Sequence, residues 1–433
     1  MRRIVFSIVL AVFVTAGYAQ TAASSFDVGG IKVIYKPTVK QIVSVDLYFR
    51  GGLNNYPAAQ AGIENLTLAA TAECGTKKYT KNAFKDKEDA YGISVSGSSG
   101  YDFGVISLNC ISKYFNEGWD LFAEAVVHPT FDERELGLLK TKLITGLSQS
   151  ESDPDTRIEQ MAMQNTFAGT IYGLQPSGTE ATISKFHQAE LAKYYTALLN
   201  KNRMFIVVAG KISKEEITAK IKAAFSAIPA KPYVAPAYKV PVIAGNKVFP
   251  EDRILATNYI QGVMNAPSMS SPDYAGFRLA FSAFDNHLFS EIRTKRNLSY
   301  APSAGVKVLK MPFSTVYVST TDPAAAVEVM VNELNELRAE GFSEEDFLGA
   351  KSGFITTNYM KQESTAAIAA SLGLAEIMGG WKLAEELPEK LNNTTLEQMN
   401  AAFRKYTAGI VWNYLGLKKQ ADAASGMFAM PIK

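Results

Sequence analysis

The sequence predicts an α+β fold built twice: two homologous half-units, each an antiparallel sheet packed with helices, joined by a proline-rich connector. Three observations predict it. Segments of period two alternate with segments of helical period along nearly the whole chain, so strands and helices are interleaved. Residues 211 positions apart match: Phe131 with Phe342, Glu133 with Glu344, Lys140 with Lys351, Ile144 with Ile355, Thr145 with Thr356. The surrounding order matches too, since Phe205 to Gly210 corresponds to Ile410 to Gly416, each after a Lys-Tyr near a helix end, as a duplicated unit requires. Finally, Pro229, Pro232, Pro236 and Pro241 fall in a stretch of little periodicity, which reads as a stiff linker. The expected half-units are therefore 20–228 and 242–433, with 229–241 between them.

Residues 1–19 read as an export signal: Arg2 and Arg3, an apolar run from Ile4 to Ala16, then Gly17-Tyr18-Ala19 ahead of Gln20. A membrane anchor, the competing reading, needs a longer apolar run. Cleavage and a periplasmic destination are expected, and no Cys follows the site to carry a lipid. Without Arg2 and Arg3, the 44 basic residues fall to 42, against 42 acidic ones. That neutrality argues against a nucleic-acid partner. No later run of about 18 uninterrupted apolar residues occurs, so no membrane insertion is expected once the signal is gone. Cys74 and Cys110 would share an oxidising compartment, either bridged or as two buried thiols.

In chain order, β-branched residues and alternation mark strands at Ile31–Tyr35 and Ile42–Phe49, the second closed by Arg50-Gly51-Gly52. Gly62 to Thr76 follows as a helix with Ile63, Leu66 and Ala70 on one face and Gly75 as its stop. A helix at Phe84–Tyr91 precedes a strand pair, Ile93–Ser98 and Gly104–Cys110, turned through Ser98-Ser99-Gly100. Helical periodicity runs over Tyr114–Val127 and Glu133–Ser150, breaks at Asp153-Pro154-Asp155, and resumes over Thr156–Ala168. Phe205–Gly210 is a buried strand, and Ser213-Lys214-Glu215-Glu216 supplies a capping box for a helix ending near Ala227.

Candidate chemistry lies between His287 and Tyr300. Leu288, Phe289 and Ile292 give a short helix an apolar stripe, while Arg293, Lys295 and Arg296 load its last turn with cations that suit the helix dipole. Asn297 fits the turn that ends it, and Tyr300-Ala301 leads into a strand. Arg293 and Tyr300 can then converge at a helix-turn-strand junction as a fixed cation beside a phenolic donor. A surface arginine and a strand tyrosine that merely pack are the plain alternative.

This run, Leu-Phe-Ser-Glu-Ile-Arg followed by Asn-Leu-Ser-Tyr, resembles the arginine/tyrosine signature in the C-terminal half-unit of the pitrilysin/insulinase-like (inverzincin) zinc metallopeptidases. The resemblance covers nearly the whole mature chain and implies two pitrilysin-like half-units. It also implies that Arg293 and Tyr300 hold a substrate carbonyl or carboxylate opposite a zinc site, where preorganised donors stabilise developing negative charge. On the first-half helix the family places an inverted His-x-x-Glu-His motif closing with Gly-Thr, and Gly75-Thr76 match that close. The ligands do not match: Asn65, Leu68 and Ala69 lie about where the motif would be. A zinc site takes about three His, Glu or Cys ligands, and Leu and Ala coordinate nothing. The remaining histidines are scattered. His187 reads as a helix-start residue beneath an N-cap Ser184, His128 as a loop residue before Pro129, and His287 as structural. Related chains often carry consecutive glycines ahead of the arginine helix, whereas here Phe281-Ser282-Ala283-Phe284-Asp285-Asn286 is expected to narrow a chamber near Arg293.

A kept Arg/Tyr pair beside an erased zinc helix resembles the non-metal subunit of a two-chain pitrilysin-like protease. The resemblance implies no cofactor in this chain, zinc in a zinc-bearing pitrilysin-like partner subunit, a peptide or unfolded polypeptide as substrate, and activity only in the complex. A catalytically inactive peptide-binding scaffold and a structural subunit of an envelope complex are the alternatives.

Overall fold

Two sheets of matching strand order organise the chain, whose computed structural model describes residues 22–433. The export signal expected at 1–19 lies outside the described residues. The first half-unit comprises β1 (Ser24–Val28), β2 (Ile31–Pro37), β3 (Ile42–Arg50), α1 (Ile63–Glu73), α2 (Lys81–Tyr91), β4 (Ser94–Ser99), β5 (Phe103–Ile111), α3 (Phe115–Val127), α4 (Glu133–Ser152), α5 (Pro154–Thr166), α6 (Glu180–Ile183), α7 (Gln188–Leu198), β6 (Met204–Gly210) and α8 (Lys214–Phe225). The second comprises β7 (Lys247–Asp252), β8 (Asn258–Asn265), α9 (Tyr274–Leu288), β9 (Ser303–Lys307), β10 (Phe313–Thr320), α10 (Pro323–Ala339), α11 (Glu344–Lys361), α12 (Thr365–Met378), α13 (Lys382–Asn393), α14 (Leu396–Tyr406), β11 (Val411–Gly416), α15 (Lys418–Ala423) and α16 (Ser425–Phe428).

The sheets run β1-β2-β6-β3-β5-β4 and β7-β11-β8-β10-β9. In each, one pairing is parallel, β2 with β6 and β7 with β11, and the rest are antiparallel. Hence β7 to β11 repeat β2 to β6, and β1 is an addition to the first sheet. The 211-residue offset has a physical basis. Phe131 and Phe342 are both buried. Lys140 Nζ donates to the carbonyls of Ser184 and Phe186 at 3.3 and 2.9 Å, and Lys351 Nζ to those of Asn392 and Thr394 at 2.8 and 2.9 Å. In both halves the lysine ties the long helix, α4 or α11, to the carbonyls just ahead of the third helix after it, α7 or α14.

Local signals explain most element ends. The Asp153-Pro154 break is a cap: Asp153 accepts from the Thr156 N–H and Pro154 opens α5, where its missing N–H costs nothing. Ser213 caps α8 by accepting from Glu216 N, but without the return bond that would complete a box. One reading needs correction: Ser184 closes α6, and His187 itself is the N-cap of α7, reciprocated by Glu190, with Nδ1 2.9 Å from the Glu133 carboxylate. The stretch from Pro229 to Pro241 has neither helix nor strand. It is pinned all the same, since Asn200 bonds Lys231 through both backbone groups and Arg203 stacks 5.0 Å from the Tyr233 ring.

Each half lends one helix to the other's sheet: α5 packs on β8 and β11, and α12 on β3 and β6. The second contact is tight, because a Cβ at Gly373 would stand 2.2 Å from the Tyr48 ring. It is also charged. Buried Glu376 of α12 accepts from Lys32 Nζ at 2.8 Å, from Arg50 Nη2 at 2.6 Å and from the Trp381 N–H at 3.1 Å. Truncating one partner leaves the other charges short of water. Glu376→Ala is therefore expected to lower the unfolding free energy by about 2–3 kcal/mol in urea titration, less than the cost of breaking a fully buried pair because Lys32 is 41% exposed. A change below about 0.5 kcal/mol would show that the ion triad is not holding α12 down.

His287 fastens three helices of the second half, with Nδ1 2.6 Å from the Glu333 carboxylate of α10 and Nε2 2.9 Å from that of Asp346 in α11. The bond to Glu333 first, then Asp346, hold its pKa up to about 9 against the opposing effect of burial. The folded value lies above the unfolded value of about 6.5. The stabilisation is therefore complete below about pH 6.5 and is lost as pH rises through about 9. Unfolding free energy is expected to fall by about 2 kcal/mol across that window, and His287→Gln to remove that dependence; an unaltered profile in the variant would refute the assignment.

Candidate functional site

Arg293 is delivered by a change of helix geometry. After α9 the chain makes a π-helical turn, Phe289–Thr294, which inserts an extra residue per turn and re-aims the side chains. Leu288 and Ile292 stay fully buried, but Phe289 is 43% exposed. Contrary to the stripe expected from spacing, it faces outward. Asn297 then takes a left-handed φ of 52°, and across it the Leu298 N–H bonds the Ile292 carbonyl at 2.9 Å, the closure an αL helix stop uses. Tyr300 follows on the way into β9.

The two candidate residues meet. The Arg293 guanidinium carbon lies 4.1 Å from the centre of the Tyr300 ring and 4.8 Å from that of Phe289. The cation thus lies over two aromatic rings, and its planar fork of N–H donors suits a planar oxygen pair. Its neighbours are spoken for, because Lys295 and Arg296 both pair with Glu291. Among the described residues, neither the Arg293 guanidinium nor the Tyr300 hydroxyl has a hydrogen-bond or ion-pair partner. Tyr300 is 77% exposed and Arg293 half-buried, so the phenol stands on open surface rather than within a chamber. The bulky run 281–286 does not crowd it. Phe281 and Phe284 lie inside α9 and pack on Phe403 in the core, at 6.0 and 5.4 Å between ring centres, so the expected narrowing is absent.

On α1 the positions expected for zinc ligands face the β4–β5 hairpin. Asn65 Oδ1 accepts from the Ser99 N–H at 3.1 Å. Leu68 is fully buried: a Cβ at Gly97 would stand 2.0 Å from its carbonyl oxygen, and one at Gly104 2.4 Å from its Cδ1. Ala69 is half-buried. An amide, an isobutyl group and a methyl do not fit zinc, and among the described residues no group of three His, Cys, Asp or Glu is placed to hold a metal ion.

The sequence reading missed Glu64, one turn earlier on α1. Its carboxylate is fully buried and accepts from Asn55 Nδ2 at 2.6 Å, Ser99 Oγ at 2.9 Å and the Tyr194 hydroxyl. Burial pushes its pKa up, against those bonds and the nearby Arg203. The available signal was an acid in the first turn of an otherwise apolar helix. It pins α1 to the hairpin and to α7, a structural role. Cys74 and Cys110 settle the thiol question, both being free and buried, with burial pushing each up to about 12. No helix among the described residues is long and apolar enough to cross a membrane.

Comparison with known proteins agrees with this geometry. Residues 32–180 match the family described as Insulinase (Peptidase family M16), and residues 185–354 the one described as Peptidase M16 inactive domain. The chain is 22% identical over 379 residues to a "Non-peptidase homolog YmxG" of Helicobacter pylori, covering 85% of this chain and 87% of that one. A solved peptidase M16 inactive domain from Pseudomonas fluorescens superposes with TM-score 0.83 at 19% identity, over 92% of this chain and 99% of that one. The periplasmic protease PqqL of Escherichia coli superposes with TM-score 0.74 at 17% identity, over 96% of this chain but 49% of that longer one. The chain belongs to the pitrilysin/insulinase-like M16 peptidase family, as a member whose first-half helix carries no zinc-binding motif.

Proposed function

We propose that this chain is the non-metal subunit of a heteromeric zinc peptidase, exported to the periplasm, whose zinc belongs to a second M16-type subunit. In this reading Arg293 and Tyr300 grip a carbonyl oxygen or terminal carboxylate of a peptide that the two subunits enclose. The observation that carries it is the half-buried guanidinium of Arg293, held 4.1 Å from the ring of exposed Tyr300 and without a partner among the described residues. A guanidinium so fixed offers two parallel N–H donors, the fork that matches a carboxylate, and the phenol adds a third donor beside it. Burial under a partner and a peptide would strengthen all three by excluding water. The likeness to half of PqqL supports the two-subunit arrangement. No group of three His, Cys, Asp or Glu among the described residues is placed to hold a metal ion, and the chain alone is expected not to hydrolyse peptides.

The test is affinity capture of the tagged chain from native extract, zinc analysis of what is retained, and peptide hydrolysis by the separate and recombined components. Zinc and hydrolysis should both follow the partner and require this chain. Chelator-sensitive cleavage by the purified chain alone would end the proposal. A second reading, an inactive peptide-binding scaffold or structural subunit of an envelope complex, is favoured by the non-peptidase description of the Helicobacter pylori relative. Under it, Arg293→Ala and Tyr300→Phe would leave the activity of any complex untouched.

A further inference from the structure

Where α5 of the first half crosses the sheet of the second, the two surfaces part and leave a cavity of about 510 Å³. Its wall is largely apolar, with Tyr101, Met163, Val308, Leu309, Phe313 and Leu374 among the lining residues. At its rim Lys307 Nζ of β9 meets the Glu159 carboxylate of α5 at 3.2 Å, an exposed pair. The size and lining fall within the range of ligand pockets, which favour interfaces between structural units and carry few, well-placed polar groups.

One such group stands in the sheet facing α5. Asn413, Gln261 and Tyr317 are register neighbours across β11, β8 and β10, so their side chains form one polar row under the helix. The two outer members are satisfied by α5: Asn413 Oδ1 accepts from Asn165 Nδ2 at 2.9 Å, and the Tyr317 hydroxyl donates to Asp155. Gln261, the middle member, lines the cavity and is 4% exposed. Among the described residues its side-chain amide has no hydrogen-bond partner, although its backbone carbonyl receives Asn413. This amide opens into a largely apolar space. It offers one acceptor and two donors side by side, the complement of a peptide group, which has one N–H and one C=O.

We propose that this cavity binds a large apolar side chain together with the peptide group next to it, and so anchors a polypeptide at a point remote from Arg293. As a subsite for a peptide also held at Arg293, it rests on the function proposed above; as a pocket for an apolar amide, it does not. The chain runs from Tyr300 to Lys307 in seven steps, at most about 24 Å when extended. A peptide of seven or eight extended residues therefore spans both points.

The probes are capped single amino-acid amides, N-acetyl-phenylalaninamide and N-acetyl-alaninamide, titrated into full-length protein labelled on its methionine methyl groups, with the Met163 signal assigned through Met163→Ile. The phenylalanine amide should shift the Met163 methyl saturably, and the alanine amide should need at least tenfold more. Gln261→Leu should weaken the phenylalanine amide about tenfold, and Met163→Phe, which fills the space but leaves the amide, should block it. Thermal midpoints like that of the parent would show both variants folded. Arg293→Ala should change none of these affinities, which separates failure of the pocket from failure of the proposed function. Equal affinity for the two amides, an unmoved Met163 signal, or undiminished binding in both Gln261→Leu and Met163→Phe would each overturn the assignment.

Discussion

Arg293→Ala is expected to reduce the peptidase activity of the recombined two-subunit enzyme by about 100-fold, in kcat more than in KM, because a single preorganised donor to a developing oxyanion contributes about that much. Tyr300→Phe removes a neutral donor and keeps the ring under the guanidinium, so a loss of about tenfold is expected, in proportion to the weaker neutral hydrogen bond. Arg293→Lys should recover little. The ammonium keeps the charge but lacks the planar fork and stacks less well between Phe289 and Tyr300. The unfolding free energy should stay within about 0.5 kcal/mol of the parent in the tyrosine variant, since a surface hydroxyl without partners stabilises nothing. Activities of the three complexes within twofold of the parent would leave Arg293 as a packed surface residue and remove the basis for the proposed role.

Much of the fold was legible because its signals are local. The period of two in residues 42–49 and 104–110, the Asp-Pro cap at 153–154 and the proline-rich connector each act within a few residues. The repeat was legible for a different reason: Lys140 and Lys351 perform one task twice, tying a long helix to the carbonyls ahead of a later one, so the pressure on both positions is the same. At the site, Arg293 and Tyr300 were found from their spacing, and Asn297 from its tolerance of the left-handed region. What escaped is non-local. The π-helical turn that throws Phe289 outward depends on how the end of α9 meets α10 and β9. Burial of Phe281 and Phe284 depends on Phe403, more than a hundred residues on. The burial of Glu64 depends on a distant partner, Tyr194 from α7. Spacing along one strand or helix carries no trace of that.

Grafting the missing motif onto α1, as Asn65→His, Leu68→Glu and Ala69→His together, is expected to unfold the protein rather than to create a metallopeptidase. The three positions are not equivalent. Ala69 is half-buried and Asn65 bonds only the Ser99 N–H, so a histidine at either costs roughly a lost hydrogen bond or a small clash, about 1 kcal/mol. Leu68 is different. Its side chain fills the space above Gly104 and its backbone carbonyl the space above Gly97, two positions where even a Cβ would collide, and beside Gly104 stands another carboxylate, Glu64, already using three donors. A glutamate there loses the burial of the leucine and brings a second acid into a dry site, at a cost of about 4 kcal/mol or more. Domains of this kind have about 5–15 kcal/mol in hand. Leu68→Glu alone should therefore lower the thermal midpoint sharply and the soluble yield with it, Ala69→His should not, and the triple variant should bind no stoichiometric zinc. A triple variant that melts with the parent and holds one zinc per chain would mean that the hairpin yields easily and that only three side chains separate this chain from a metal centre. The glycines at 97 and 104 argue otherwise, because they let the hairpin settle onto the helix face that a metal and its water would have to occupy.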